Sequence, residues 1–176
     1  MPVVDELFFA NVVREPLFEE VSERREDAFK KVVKLVSARD RCSHELIDRL
    51  VRVGFDRSDA VAAVDRALSC GMVDDLRYAD VLIRSRVSQG KGRAGIEEEL
   101  ARSGIDACDI PGWPEAYFPA EGPSEEERAF ELLCRKPPRS KNVYAAACRK
   151  LASRGFSSDV VFSAARRYVE QCDRVF

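Results

Sequence analysis

Long hydrophobic runs are missing from this chain of 176 residues. No stretch approaches the roughly 18 consecutive apolar residues that a transmembrane helix needs. The first 13 residues carry Asp5 and Glu6 where a signal peptide carries basic side chains. Glycine (9) and proline (8) occur at ordinary frequencies, which excludes collagen-like and low-complexity chains. We therefore expect a globular cytoplasmic protein that makes no membrane contact.

Paired cysteines and clustered histidines are also missing. The chain has six cysteines but no Cys-x-x-Cys pair, and its single histidine cannot complete a zinc site. We expect the thiols to be reduced and mostly buried as small apolar side chains. The cysteines are Cys42, Cys70, Cys108, Cys134, Cys148 and Cys172. No metal and no cofactor are expected.

The sequence also has little to offer for catalysis. His44 lies beside Glu45 in the first turn of a predicted helix, where a solvated position is the favoured interpretation. The glycine-rich segment 90–95 contains Lys91 but lacks the spacing of a P-loop and a Ser or Thr after the lysine. A connection between helices is favoured there over a phosphate-binding loop. Residues 97–99, all glutamate, are predicted to lie in the first turn of the next helix, where they favour its dipole. The sequence therefore predicts no enzymatic activity.

Three glycines, Gly54, Gly104 and Gly155, recur at intervals of 50 and 51 residues. A leucine precedes each by four residues, another apolar residue precedes it by eight, and Phe or Ile follows at once. An apolar row at i, i+4 and i+8 is one face of an α-helix. A glycine in the left-handed conformation commonly ends such a helix. The pattern therefore predicts the same helix end three times, at a period of about 50 residues. The apolar rows are Leu46 and Leu50, Ile96 and Leu100, and Ala147 and Leu151.

Helix starts and stops divide each period into three helices. Ser43 and Asp74 are good N-caps, and Ser124 with Glu127 reads as a capping box. Two prolines and a glycine in residues 111–114 oppose a full-length third helix in the middle copy. The predicted fold class is all-α, with three tandem three-helix repeats in an elongated chain and the third helix of the middle repeat short or distorted. The predicted segments are an N-terminal extension (1–25) and repeats at 26–73, 74–123 and 124–176.

The N-terminal extension contains an apolar run from Leu7 to Val13. Over so short a run, periodicity is compatible with a strand, a docked helix or a contact with another chain. Those three interpretations stay open.

Charge is distributed unevenly along the chain. The net charge of the whole chain is only −2. The predicted third repeat, however, has 11 basic and 7 acidic residues, whereas the predicted second repeat has 6 basic and 10 acidic residues. Residues 132–167 contain nine basic residues against Asp159 alone, a local charge of +8. Such an excess favours a polyanion or an acidic protein surface as partner over a merely solvated face. The nine are Arg135, Lys136, Arg139, Lys141, Arg149, Lys150, Arg154, Arg166 and Arg167.

The aromatic residues near this basic segment do not indicate base stacking, and a second basic segment lies elsewhere in the chain. Phe156, Phe162 and Tyr168 match the spacing of a helix core better than that of a base-stacking platform. The middle repeat offers a second candidate surface for the partner. Its basic residues are Arg84, Arg86, Lys91 and Arg93.

Several motifs in this order and at this spacing resemble the RecX regulatory proteins of bacteria, over roughly residues 26–172. The first copy contributes Ser43, Leu46, Leu50, Gly54 and Phe55. The second contributes Asp74, Asp75, Tyr78, Ala79, Lys91, Gly92, Ile96, Glu99, Leu100, Gly104 and Ile105, and the third contributes Leu151, Arg154, Gly155 and Phe156. The proline-rich segment 110–114 and the apolar N-terminal extension depart from the family pattern.

The resemblance implies a non-enzymatic, monomeric regulator of homologous recombination and DNA repair. Such a protein binds the groove of the RecA recombinase filament on single-stranded DNA and suppresses filament growth, ATP hydrolysis and strand exchange. The alternative hypothesis is a helical module that binds DNA directly, with the basic third repeat on the phosphates. Binding to bare single-stranded DNA, compared with binding to a preformed filament at the same salt, separates the two.

Overall fold

The computed structural model describes residues 23–175. Their regular elements are α-helices and one short 3-10 helix, and no β-strand occurs among them. The predicted all-α fold class is confirmed. The helices are α1 (residues 23–36), α2 (Ser43–Val53), α3 (Arg57–Ser69), α4 (Asp75–Ser88), α5 (Arg93–Arg102), α6 (Glu125–Arg135), α7 (Val143–Ala152) and α8 (Ser158–Val175). No helix in this part of the chain combines the length and the apolar character that a membrane span requires. The apolar run at residues 7–13 lies outside the described residues.

The chain divides into two compact units, Met1–Tyr78 and Ala79–Phe176. In the first, α1, α2 and α3 enclose a core that includes the fully buried side chains of Val32, Leu50 and Val64. In the second, α8 packs against both α6 and α7 over a separate core. The predicted repeat boundaries at residues 26, 74 and 124 stay a prediction.

The helix ends predicted at Gly54, Gly104 and Gly155 are alike in all three places. The three glycines have φ angles of 108°, 73° and 76°. Each glycine N–H donates to the carbonyl three residues earlier at 2.9–3.0 Å, and the next N–H donates to the leucine carbonyl five residues before it at 3.0–3.3 Å. This pair of bonds is the Schellman motif, which satisfies the last carbonyls of a helix. The leucine is fully buried in each copy, so the predicted C-caps are confirmed.

Several of the predicted helix starts are confirmed as well. Asp74 accepts a hydrogen bond from the N–H of Arg77 at 2.9 Å and caps α4. Ser124 and Glu127 form the predicted capping box at the start of α6, with both reciprocal bonds present. Each bond satisfies an N–H group that has no partner within its own helix.

The predicted N-cap at Ser43 is wrong. Cys42 is the N-cap of α2, and Ser43 is its first helical residue. The N–H of Glu45 donates to the Cys42 sulfur at 3.4 Å, while the Ser43 hydroxyl and N–H both donate to the Asp75 carboxylate, at 2.5 and 2.8 Å. Fifty residues later the first N–H of α5, that of Arg93, donates to Glu125 at 2.7 Å. In both places the first N–H of the middle helix of a predicted repeat donates to an acidic side chain at the second position of the next predicted repeat.

The third helix of the middle repeat is short, as predicted. It is reduced to the 3-10 helix Ala107–Asp109, and turns follow over residues 110–118. Pro111 and Pro114 have no N–H to donate to a helical ladder, and Gly112 adopts a φ of 74°. This segment therefore cannot form a regular helix.

Three aromatic side chains hold this turn segment in place. Trp113 lies 5.8 Å, between ring centroids, from both Tyr117 and Phe118. Its indole N–H donates to Glu97 of α5 at 3.3 Å, and the Tyr117 hydroxyl donates to Asp80 of α4 at 2.9 Å. These contacts attach the segment to α4 and α5.

Two predictions about burial are wrong in part. Phe156 and Tyr168 are buried, but Phe162 is 52% exposed. The buried row of α8 has helical i, i+3, i+4, i+7 spacing, and Phe162 stands one position off it, which is about 100° around the helix. The row is Val161, Ala164, Ala165 and Tyr168.

The cysteines are not mostly buried. Cys42 alone is fully enclosed among the six, and the thiols of the others reach the surface to different degrees because several lie near helix ends or outside helices. Cys70 is the C-cap of α3, and Cys108 lies in the 3-10 helix. Exposed cysteines are Cys70, Cys108 and Cys134, and half-buried ones are Cys148 and Cys172.

Candidate functional site

A groove of about 460 Å³ opens in the unit Ala79–Phe176. Its walls come from the end of α4, from α5 and from the turn after α7. Four lining side chains are cations and one is a carboxylate, so the lining carries three net positive charges. The lining residues are Arg86, Gln89, Lys91, Glu99, Arg102, Ser153 and Arg154. We call it the basic groove.

Glu99 engages two of the four cations. Nε of Arg86 lies 3.0 and 2.9 Å from the two carboxylate oxygens, and Nη2 lies 2.5 Å from Oε1. Nζ of Lys91 donates to Oε2 at 2.5 Å. These bonds, those from Arg86 first, lower the pKa of Glu99 from 4.5 to about 2. The carboxylate therefore stays ionised at neutral pH and in mild acid.

The prediction that residues 97–99 lie in the first turn of α5 is wrong. The helix begins at Arg93, and its first turn contains no acidic residue. Glu99 lies in the second turn, where it pairs with Arg86 and Lys91 instead of favouring the helix dipole.

The glycine-rich segment 90–95 connects two helices, which was the favoured interpretation. Gly90 ends α4 with a φ of 72°, and Gly92 is the N-cap of α5. The N–H of Gly92 donates to the Arg154 carbonyl at 2.9 Å, and that of Gly95 donates to the Gly155 carbonyl at 2.8 Å. These N–H groups are therefore occupied and cannot hold a phosphate.

The same contact brings two backbones together without side chains between them. A Cβ atom on Gly95 would lie 2.6 Å from Cα of Gly155, and one on Gly155 would lie 2.3 Å from Cα of Gly95. Both distances are far below van der Waals contact. The groove wall at Arg154 is therefore attached to α5 through backbone atoms.

Arg154 and two more basic residues, Lys150 and Lys136, cluster beside this wall. Nη1 of Arg154 donates to the Gln89 carbonyl at 3.3 Å, and Nζ of Lys150 donates to the Lys136 carbonyl. Burial, followed by the charges of Lys136 and Arg154, lowers the pKa of Lys150. Among the residues predicted to bind a partner, the structure thus brings Arg86, Lys91 and Arg154 to one groove.

Other predicted residues form an exposed basic surface at the end of α6, in the loop that follows and in the last turn of α7. Their side chains make no ion pair among residues 23–175. We call this set the α6–α7 surface. Its members are Arg135, Lys136, Arg139, Lys141 and Arg149.

Arg166 and Arg167 of α8 are placed differently. Both line a second depression together with acidic residues, and the Arg167 guanidinium lies 4.4 Å from the ring centroid of Phe130. Three carboxylates in that lining offset the two cations. The acidic residues are Glu126, Asp159 and Glu170.

Arg84 and Arg93 do not line the basic groove. Nε of Arg84 contacts both oxygens of Asp80 at 3.0 and 2.8 Å, and its guanidinium lies 5.4 Å from the Tyr117 ring centroid. Nε of Arg93 lies 3.9 Å from Glu97. Both side chains are more than half exposed.

Two basic residues of this region were missed by the sequence argument. Arg102 lines the groove, and its position one turn after Glu99 on α5 is a signal that could have placed it there. Arg128 donates through Nη2 to the Lys91 carbonyl at 3.0 Å, and its guanidinium lies 4.6 Å from the Phe118 ring centroid. Burial lowers the pKa of Arg128. No sequence pattern marks that burial.

Comparison with known proteins assigns the chain to a family. The model of the RecX second three-helix domain matches residues 74–110. The regulatory protein RecX of Acidithiobacillus ferrooxidans is 32% identical over 142 residues, which span 78% of this chain and 87% of that protein. The chain belongs to the RecX family. The RecX protein of Mycolicibacterium vanbaalenii is 33% identical over 124 residues, 70% of this chain and 66% of that one.

Solved RecX structures share the fold. A crystal structure of a regulatory protein RecX superposes with a TM-score of 0.63 at 19% identity, over 90% of this chain and 76% of that one. RecX from Lactobacillus salivarius superposes with a TM-score of 0.60 at 17% identity, over 84% and 97%. The predicted family is confirmed, and the protein is a regulator of the RecX type. Five of the seven groove-lining residues lie in the segment that the RecX domain model matches.

Proposed function

We propose that this RecX-family protein is a non-enzymatic regulator that binds the RecA filament on single-stranded DNA and suppresses its ATP hydrolysis and strand exchange. Membership of a family of regulatory proteins supports this function. The observation that carries it in this structure is the α6–α7 surface, a set of exposed cations without carboxylate partners among the described residues.

Unpaired exposed cations suit a regulator of a charged filament for a physical reason. Burying them against an acidic surface removes no ion pair that already exists, so little has to be broken on binding. Complementary charge raises the association rate and selects the partner more than it raises affinity. Such a surface needs neither a deep pocket nor a cofactor.

The predicted repeats at 26–73, 74–123 and 124–176 extend this proposal. A row of similar helical units can contact more than one subunit of a polymer, and each contact raises the effective concentration of the next. We propose that the chain acts in this way as a monomer in the cytoplasm.

Charge reversal on the α6–α7 surface tests the proposal. The variant Arg139→Glu, Lys141→Glu, Arg149→Glu changes three exposed side chains that make no hydrogen bond or ion pair within the described chain. Lys150 and Arg154 are left intact because both donate to backbone carbonyls. We expect the concentration for half-maximal suppression of RecA ATPase to rise at least about tenfold, which is about 1.4 kcal/mol.

A matched control carries the same charge change in the other unit. The control variant is Lys34→Glu, Arg49→Glu, Arg52→Glu, also at exposed positions. We expect a clearly smaller change in suppression than in the first variant, since these charges lie outside the α6–α7 surface that makes the proposed main contact. Equal losses in both triple variants, or no loss in the first, would contradict the proposed surface.

Direct binding to DNA is the second candidate function, and the same exposed cations favour it. A module that contacts phosphates with these residues binds bare single-stranded DNA with a strong dependence on salt. Loss of bare-DNA binding in the first triple variant, with suppression of RecA ATPase intact, would favour this alternative.

A further inference from the structure

Two cations of the basic groove have no carboxylate partner in the described part of the chain. Nε of Arg102 donates to the Glu98 carbonyl at 3.3 Å, and Nη1 of Arg154 donates to the Gln89 carbonyl at 3.3 Å. A guanidinium carries five N–H donors in a rigid fork. Each of these arginines therefore keeps donors that can face a ligand in the groove.

The groove already shows which kind of anion its cations can hold. Arg86 contacts both oxygens of Glu99 while Lys91 contacts one of them. A two-oxygen contact with a guanidinium is the geometry in which a carboxylate is bound most strongly. Glu99 thus acts as a carboxylate ligand supplied by the chain itself, in a groove that retains three net positive charges.

The rest of the lining does not favour a nucleic acid strand. Besides the five charged groups it contains only Gln89 and Ser153, with no aromatic side chain. Proteins that bind single-stranded nucleic acid combine a basic groove with aromatic rings on which bases stack. The volume of about 460 Å³ is also that of a pocket for a few side chains and not of a channel for a long strand.

We infer that the basic groove binds carboxylate side chains of an acidic peptide segment on a protein partner, through Arg102 and Arg154, and that Glu99 is an internal competitor of that ligand. This inference deepens the proposed function and rests on its protein partner. It predicts that two kinds of substitution in the groove change the binding affinity in opposite directions. Arg102 and Arg154 are contact residues whose loss weakens binding, whereas loss of the Glu99 charge raises the net charge of the groove from three to four and strengthens binding.

A labelled hexaglutamate peptide is the probe, and its binding to the full chain is measured by fluorescence polarisation at fixed salt. For Arg102→Gln with Arg154→Gln we expect the dissociation constant to rise about tenfold or more. For Glu99→Gln we expect it to fall at least about twofold. The matched control Arg49→Gln with Arg52→Gln removes the same two charges in the other unit and should change it by less than about twofold.

Two further measurements control for misfolding of the variants and for binding of nucleic acid in place of an acidic peptide. Circular dichroism must show native helix content, and the single variant Arg102→Gln, at an exposed position, keeps the test valid if the double variant melts early. A labelled oligothymidylate is titrated in parallel. The inference is overturned if groove and control variants lose peptide binding equally, if Glu99→Gln weakens it, or if oligothymidylate binding falls while peptide binding stays.

The outcomes also separate this inference from the proposed function. If the native chain suppresses RecA ATPase but does not bind hexaglutamate, the groove inference alone fails. If it binds hexaglutamate with the expected pattern of variants but does not suppress the ATPase, the proposed function alone fails. If the variants show the full expected pattern of hexaglutamate binding, and the native chain suppresses RecA ATPase while the variant Arg102→Gln with Arg154→Gln suppresses it less, the results support both the groove inference and the proposed function.

Discussion

Gly54 and Gly155 end α2 and α7 with the same two hydrogen bonds and the same left-handed backbone, yet their surroundings differ. A Cβ on Gly54 would meet nothing within 4 Å, whereas one on Gly155 would lie 2.3 Å from Cα of Gly95. In the first unit the glycine only ends a helix. In the second it also lets two backbones touch, so one sequence motif serves two structural purposes.

The partner residues explain the difference. Gly92 and Gly95 face the turn at Arg154 and Gly155, and both donate their N–H groups to it. No part of the described chain approaches Gly54 in this way, since a Cβ added there would meet nothing within 4 Å. The motif specifies the helix end, and the residues opposite it specify whether that end also contacts another backbone. We call the backbone contact between Gly95 and Gly155 the joint.

The largest expected effect is at Gly155. We predict that Gly155→Ala lowers the free energy of unfolding of the unit Ala79–Phe176 by about 3 kcal/mol or more, because left-handed strain adds to a clash with backbone that cannot yield. Urea unfolding followed by the fluorescence of Trp113, the single tryptophan, reports on this unit. A loss of less than about 1 kcal/mol would mean that the two backbones are not in contact.

Gly95→Ala is the sharper test of the joint, because two principles predict opposite signs. Alanine inside α5 should stabilise the helix by about 1 kcal/mol relative to glycine. The Cβ, however, would lie 2.6 Å from Cα of Gly155. We expect the clash to dominate, with a net loss of about 1–2 kcal/mol in the same Trp113 unfolding experiment. A gain in stability would contradict the joint.

Gly54→Ala is the matched substitution in the other unit. With nothing near the added atom, only the left-handed conformation at φ 108° opposes it. We predict a loss of about 1 kcal/mol, measured by circular dichroism during urea unfolding because the tryptophan lies in the other unit. A loss as large as that at Gly155 would remove the distinction between the two helix ends.

The smallest expected effect concerns the ion pairs of Glu99 beside this joint. Its folded-state pKa of about 2 lies below the ordinary 4.5, so the ionised carboxylate stabilises the unit above pH 4.5, and this is lost as pH falls toward 2. We predict that Glu99→Gln lowers the free energy of unfolding by about 0.5–1 kcal/mol at pH 7, because a partly solvated ion pair contributes little more than this to stability. The cost should shrink at pH 3.

Urea unfolding at both pH values measures this effect, with Glu98→Gln as the matched control on the same helix. The control should show a smaller cost that does not depend on these ion pairs. If the cost of Glu99→Gln is the same at pH 7 and pH 3, Arg86 and Lys91 do not hold the carboxylate in the ionised form.

Much of the fold could be predicted because its signals are local. The end of each helix at a glycine depends on residues within one or two turns, and the capping box at Ser124 and Glu127 depends on four consecutive residues. The prolines of segment 111–114 remove hydrogen-bond donors whatever surrounds them. Such features survive in any tertiary arrangement, which is why they could be predicted from one sequence.

The errors occurred where a distant residue competes with a local signal. Serine is a residue type that commonly caps helices, but the Ser43 hydroxyl donates a hydrogen bond to Asp75, 32 residues later. For Glu99 the sequence predicts a favourable contact with the helix dipole, but Arg86 at the end of α4 and Lys91 in the connection after it bond to the carboxylate. In both places a charge-assisted bond outweighs a weaker preference of the helix terminus.

The sequence by itself determined the all-α class, the period of about 50 residues, the helix ends at three glycines and the excess of positive charge in residues 132–167. These properties follow from backbone conformation and composition, which act over a few residues. Tertiary structure decided which cations are paired, which are exposed and which share a groove. It placed Arg154 beside Arg86 and Arg102, more than 50 residues away in sequence, because packing of helices and backbone contact between glycines set those positions.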